Sequence, residues 1–266
     1  MQRPGSYQKS DELSGSKSGH WLNRLLHHVG LRLQPHHPPA HFMRPIGRLD
    51  WFLEDIKARG FDCRHVLDLG ASDGSWSRKL LHIYPEASGL MVEPRPACVP
   101  ALEQFCVEHP NWSFVTAGVG ACEGELPLAL WDTSSTLLTD SVVLAKETVK
   151  VPVVRCDSLF GANAIYPNLV KLDVEGFEME VLSGAELLFG RVDLFVIEVA
   201  TFPFGTTRPL AHDVIAFLEG MGYLLYDVGG FIRRPYDGAV GLLDLVFARQ
   251  GCSLTDHPNE WFAKQK

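Results

Sequence analysis

Residues 66–77 read VLDLGASDGSWS. Val66, Leu67 and Leu69 make an apolar run, Asp68 sits between two leucines, and Gly70 and Gly74 frame a short polar stretch. An apolar run that ends on glycines predicts a buried strand entering a tight turn. Polar residues with helical spacing follow, and Ser75 is placed to cap a helix whose free N–H groups favour an anion.

The pattern repeats outward from this stretch. Strand-like runs occupy 65–70, 88–94, 112–119, 168–174, 192–199, 222–228 and 242–249. Helix-like runs lie at about 75–83, 96–108, 177–188 and 209–220, and Phe42, Ile46, Leu49, Phe52, Leu53 and Ile56 mark a further helix stopping near Gly60. Apolar strands alternating with amphipathic helices predict an α/β, Rossmann-like fold, a mostly parallel seven-stranded sheet with helices on both faces. Residues 124–155 depart from the alternation: GELPLALW and TVKVPVVRC flank a polar segment and predict an antiparallel insertion.

Three parts are expected: a leader over 1–41, one domain over 42–252 and a tail over 253–266. The leader begins Ser/Gly/Lys-rich, which predicts disorder. Trp21, Leu22, Leu25, Leu26 and Val29 then suggest a short helix, and prolines at 35, 38 and 39 end it. Six of the 11 histidines fall in this leader. Without a cysteine or carboxylate set beside them they read as a solvated tail, not a metal site.

Composition excludes several classes. No run approaches the ~18 apolar residues of a membrane span, and the N-terminus lacks a secretory apolar core. Six scattered cysteines contain no CxxC pair, so reduced thiols and a cytoplasmic location are expected. A formal net charge of −8 argues against a nucleic-acid partner. Oligomeric state leaves no mark in the sequence.

In a doubly wound sheet, ligands sit beyond the carboxyl ends of the strands where strand order reverses. The glycine turn at 70–74 and Glu93 at the end of the next strand fit an adenosine cofactor, the carboxylate accepting from both ribose hydroxyls. A dinucleotide needs G-x-G-x-x-G. Counting from Gly70, the later glycine positions hold Ser72 and Ser75, so that motif fails. S-adenosylmethionine carries no phosphate, and Asp68 offers a carboxylate to its ammonium. The expected cofactor contacts are Asp68, Gly70, Ala71, Ser72, Gly74, Glu93, Pro94 and Gly118.

The motifs VLDLGASDGSWS, GLMVEPRP, VTAGVGACEGEL, CDSL, LVKLDVEGFEMEVLSGAELL and LFVIEV fall in an order that resembles the FkbM-type family of class I S-adenosylmethionine-dependent methyltransferases. The resemblance spans about 45–250 and implies an O-methyltransferase acting on a small molecule or glycoside. Ser72 stands where the family usually has Asn, and Gly118 where it usually has Ala; neither change removes a charge.

KLDVEGFE brings acids to the end of the fourth core strand. Asp173 and Glu175 are the catalytic candidates, placed to accept or orient an acceptor's proton. Glu198 ends the next strand. A divalent cation on Asp173, Glu175 and Glu198 is chemically feasible, but no histidine or second Asp completes a ligand set, and no metal is expected. His212 reads as a polar surface residue or a general base. The Asn/Asp/Ser-Pro-Pro-aromatic motif of amino-methylating DNA enzymes is absent. The contrasting reading, a catalytically silent methyltransferase fold used as a binding module, is disfavoured because Asp68, Gly70 and Glu93 are all kept.

Overall fold

The computed structural model describes residues 46–130, 135–138, 145, 147–161, 164–204 and 208–256. The expected leader helix, most of the tail and residues 131–134 and 139–144 of the insertion lie outside these residues.

Among the described residues, ten strands and five α-helices follow in chain order: α1 (Leu49–Ala58), β1 (His65–Leu69), α2 (Ser75–Ile83), β2 (Ser88–Val92), α3 (Val99–Glu108), β3 (Trp112–Val115), β4 (Gly118–Gly120), β5 (Gly124–Ala129), β6 (Thr148–Arg155), β7 (Leu169–Leu172), α4 (Glu178–Ser183), β8 (Leu194–Ala200), α5 (Ala211–Gly220), β9 (Tyr223–Arg233) and β10 (Val240–Arg249). Seven strands form one sheet in the order β3-β2-β1-β7-β8-β10-β9. Only β10 runs against its neighbours. This is the mostly parallel sheet that the alternating runs predict.

Side chains alternate across the sheet with period two. Val66, Leu194 and Val196 face one core with Leu53 of α1, Leu80 of α2 and Phe105 of α3. Leu67, Leu69, Phe195 and Ile197 face the other, with Val181 of α4 and Val214 of α5. Both faces are therefore covered, which is why the strands read as nearly continuous apolar runs.

The second sheet, β4-β6-β5, contains the predicted antiparallel pair, β5 on β6. Its third strand was not expected. The run 112–119 reads as one strand, yet the chain leaves the main sheet after Val115 and re-enters β structure at Gly118, parallel to β6.

Two helices are shorter than their periodicity suggests. The first starts at Leu49 and leaves out Ile46, because Gly47 takes φ +94, a left-handed conformation that interrupts a helix. The run 177–188 breaks at Gly184, where a Cβ would lie 2.2 Å from the Gly120 carbonyl oxygen. Helix α4 ends there so that the second sheet can approach, and a 3₁₀ turn over Glu186–Leu188 resumes the run. At the C-terminal side, Thr255 is buried and donates to the Arg249 and Cys252 carbonyls, so packing continues past 252.

All six cysteines are free thiols. Among the described residues no helix is long and apolar enough to cross a membrane.

Candidate active site

Strand order reverses between β1 and β7. The chain leaves β1 toward β2 on one side and returns to β7 on the other, so the loops after β1 and β7 part and leave a cleft. Gly70, Ser72, Glu93, Pro94, Gly118, Asp173 and Glu175 line it. Five of the eight expected cofactor contacts and both catalytic candidates thus meet in one place. Asp68, Ala71 and Gly74 do not line it.

The glycine turn is held by close backbone contacts. Gly70 and Ala71 donate to the Val92 carbonyl at 2.9 and 3.2 Å, and Asp173 N donates to Leu69 O at 3.0 Å. A Cβ on Gly70 would sit 1.8 Å from the Asp173 carbonyl oxygen. Gly74, not Ser75, occupies the N-cap of α2, in the left-handed region at φ +79. Ser75 is the first helical residue, and its N–H is taken by Asp73 Oδ1 at 3.0 Å. Ala71 is buried in the core.

Among the described residues, Ser72 and Glu175 are the non-glycine residues of positive φ, at 53° and 55°. Such geometry costs about 1–3 kcal/mol and persists where the surroundings impose it. Both residues line the cleft. Asn tolerates this region better than Ser, which gives a physical sense to the Asn that resembling chains carry at position 72.

Glu93 is 3% exposed. Its Oε2 accepts from Ser72 N at 2.8 Å, and its Oε1 accepts from Arg95 N at 3.0 Å and Arg95 Nε at 2.7 Å. The carboxylate is thereby fixed at the end of β2, with the Arg95 guanidinium beside it. The sequence reading missed Arg95.

Asp68 is fully buried below the cleft. Its Oδ2 accepts from Ser77 Oγ at 2.6 Å, and Lys171 Nζ stands 3.5 Å from Oδ1. The ammonium beside it comes from the chain's own Lys171, where a ligand's ammonium was expected. The same Nζ donates to Gly70 O at 2.8 Å and pairs with Asp173 Oδ2 at 3.2 Å. Lys171 thus ties both lips of the cleft together. Burial alone would lower its pKa, but Asp173 and Asp68 outweigh that and raise it.

Acids gather on the β7–β8 side. Carboxylate oxygens of Asp173, Glu175 and Glu198 lie within 4.8 Å of one another. Oxygen groups of this kind suit a hard divalent cation. Two of the three already face a cation of the chain: Lys171 for Asp173, and Arg208, whose Nη2 is 3.2 Å from Glu175 Oε2. Asp244 stands opposite Glu198 in the β8–β10 register. Burial, then Asp173, Glu175 and Asp244, push Glu198 up to about 9. Burial and Asp173 also raise Asp244. Glu178 is buried at the start of α4, accepts from Gly176 N at 2.9 Å and is pushed up to about 7, mainly by burial. It fixes the turn that carries Glu175. His212 is outside this group, with a side chain 75% exposed beside Asp213.

A doubly wound sheet with its glycine turn, strand-end Glu93 and opposed acids at the switch point is the architecture of class I methyltransferases. The chain matches the family described as "Methyltransferase FkbM domain" over residues 68–225. It belongs to that family.

No curated protein sequence matches the chain. Similar solved structures include the methyltransferase FkbM of Methylobacillus flagellatus KT, at 15% identity and TM-score 0.46, covering 69% of this chain and 44% of that one. The chain thus spans less than half of that protein's length. The 1,6-didemethyltoxoflavin-N1-methyltransferase of Burkholderia thailandensis, solved with 1,6-didemethyltoxoflavin and S-adenosylhomocysteine, is 15% identical with TM-score 0.42, covering 76% of this chain and 77% of that one. An rRNA methylase from Streptococcus thermophilus is 9% identical with TM-score 0.44, covering 77% of this chain and 98% of that one.

Proposed function

We propose that the chain is an S-adenosylmethionine-dependent O-methyltransferase whose acceptor is a hydroxyl on a small molecule. The observation that carries this is the cleft itself: Gly70, Ser72, Glu93, Pro94 and Gly118 on one wall face Asp173 and Glu175 on the other. The first set would hold the cofactor. Gly70, by carrying no side chain, lets the Asp173 carbonyl close against the turn and so fixes the shape of this wall, and Glu93 supplies a fixed acceptor for ribose hydroxyls. The cofactor, when bound, supplies a methyl group activated on a sulfonium. Asp68 acts from below through Lys171, holding that ammonium against the Gly70 carbonyl and Asp173.

The remaining work falls to the chain's acids. Asp173 reaches the cleft with Lys171 3.2 Å away, and it takes the proton that the acceptor hydroxyl releases. Glu175, held by Arg208, orients that hydroxyl. Positioning two reactants in one cleft is itself a large part of such catalysis.

Asp173→Asn tests this. The variant should fold and bind S-adenosylhomocysteine with most of its affinity, while single-turnover methylation falls by about 10²–10⁴-fold. A folded, cofactor-binding variant with a near wild-type single-turnover rate would remove Asp173 from the chemistry.

A further inference from the structure

A second cavity, of about 610 Å³, opens beside the cleft and shares Glu175 with it. That volume lies within the usual range for small-molecule sites. Leu138, Phe204, Ile232, Tyr236 and Leu242 give it apolar walls. Several of these walls face water: Phe204 is 39% exposed, Ile232 55% and Tyr236 91%. Large apolar groups left exposed together mark a surface that meets a ligand. Gly241 helps to shape it, because a Cβ there would lie 2.8 Å from Arg234 Cγ and 3.3 Å from Phe204 Cζ.

The same cavity is basic in a chain of net charge −8. Arg208, Arg233 and Arg234 line it. Arg234 is matched by Asp237 and lies 3.8 Å above the Phe202 ring. Arg208 is matched by Glu175 on one nitrogen, but its Nε is buried without a hydrogen-bond partner. Leaving a buried donor unpaired is costly. Arg233 donates to the Gly238 carbonyl at 2.9 Å and lies over Phe231, with no carboxylate in ion-pair reach among the described residues. Three arginines thus stand against two carboxylates, beside apolar walls.

We propose that this cavity holds the methyl acceptor and that the acceptor is an anionic amphiphile. It is a soluble small molecule with an apolar, ring-like body, one carboxylate-type group and a hydroxyl. The body lies on Phe204 and Ile232, the anion meets Arg233, and the hydroxyl reaches the Glu175 end, where cavity and cleft join. This rests on the methyltransferase reading above and narrows its acceptor: the apolar walls and the arginine without a carboxylate favour an anionic amphiphile over a neutral sugar.

The full chain is titrated calorimetrically with 6-hydroxy-2-naphthoate, with its methyl ester, and with methyl α-glucoside. The naphthoate should bind about five- to tenfold more tightly than the ester, as one partly exposed charge-assisted pair allows, and the glucoside should not displace it. Arg233→Gln should bring naphthoate affinity down to that of the ester, leave the ester unchanged and keep the melting temperature. Gly241→Val, which fills the wall, should weaken both. Equal affinity for acid and ester in the wild type, or an acid preference that survives Arg233→Gln, overturns the proposal. S-adenosylhomocysteine is titrated separately. Its failure to bind strikes the cofactor reading, whereas its binding without any acid preference strikes the acceptor assignment alone.

Discussion

Lys171→Met should be among the most damaging single changes in the domain. The Lys171 side chain is 8% exposed and lies between Asp68, which is wholly buried, and Asp173, which is 33% exposed. Removing the ammonium leaves Asp173 with water but leaves Asp68 with only Ser77. Breaking a buried pair by deleting one partner costs about 3–5 kcal/mol. At roughly 2–4 °C per kcal/mol for a domain of this size, the melting temperature should fall by about 6–20 °C at pH 7.5. The loss has a definite pH dependence. Burial already raises the Asp68 pKa above its ordinary value, and without the ammonium it rises further. A carboxyl whose folded pKa lies above its unfolded one stabilises the fold at low pH and loses that contribution as pH rises. The deficit of Lys171→Met should therefore shrink between pH 7.5 and pH 5. Asp68→Asn combined with Lys171→Met should recover much of the loss, because no charge is then stranded. Differential scanning calorimetry on wild type, both singles and the double variant measures all of this. A Lys171→Met protein within about 2 °C of wild type at pH 7.5, or a deficit that does not change with pH, would refute the reasoning.

Glu93→Ala should weaken S-adenosylhomocysteine binding by about 2–4 kcal/mol, the value of two charge-assisted hydrogen bonds in a dry site, measured by calorimetry; unchanged affinity would move the ribose elsewhere. Gly70→Ala should fail to keep the turn, since its Cβ meets the Asp173 carbonyl at 1.8 Å; a variant with wild-type melting temperature and cofactor affinity would contradict the packing. For Glu198, the folded pKa of about 9 lies above the ordinary 4.5, so its contribution is complete in acid and is lost progressively as pH rises to about 9. Glu198→Gln should accordingly gain stability relative to wild type across pH 5–9 and level off above it, read as melting temperature against pH; parallel curves would remove Glu198 as the titrating group.

The switch point was legible because local signals mark it: a glycine turn, an acid at the next strand end, and two acids closing the fourth core strand. What stayed hidden depends on register between distant strands. Lys171 and Asp173 alternate visibly in KLD, but the pairing of Lys171 with Asp68 follows from the β1–β7 register, which sets those two residues side by side. The opposition of Glu198 and Asp244 follows in the same way from β8 and β10. Arg95 and Arg208 sit in loops, and nothing in a loop sequence says which way a long side chain turns. The split of 112–119 was hidden for another reason: an apolar run records burial, not which sheet buries it.

That cluster of acids also decides how the site divides its protons. Asp173, Glu175, Glu198 and Asp244 crowd one partly dry site, where the ion pairs among the described residues are Lys171 on Asp173 and Arg208 on Glu175. Position decides which one yields. Glu198 lies on the strand with Asp244 directly across and, among the described residues, no cation in salt-bridge contact, and it is pushed up to about 9. It keeps its proton at neutral pH. Asp173 has an ammonium at 3.2 Å and opens to the cleft. The side chain that opens to the cleft is thus the one with an ammonium beside it, while burial and acidic neighbours favour the protonated form of Glu198 behind it. On the proposed reading, Asp173 takes the acceptor's proton and Glu198 stays out of that exchange.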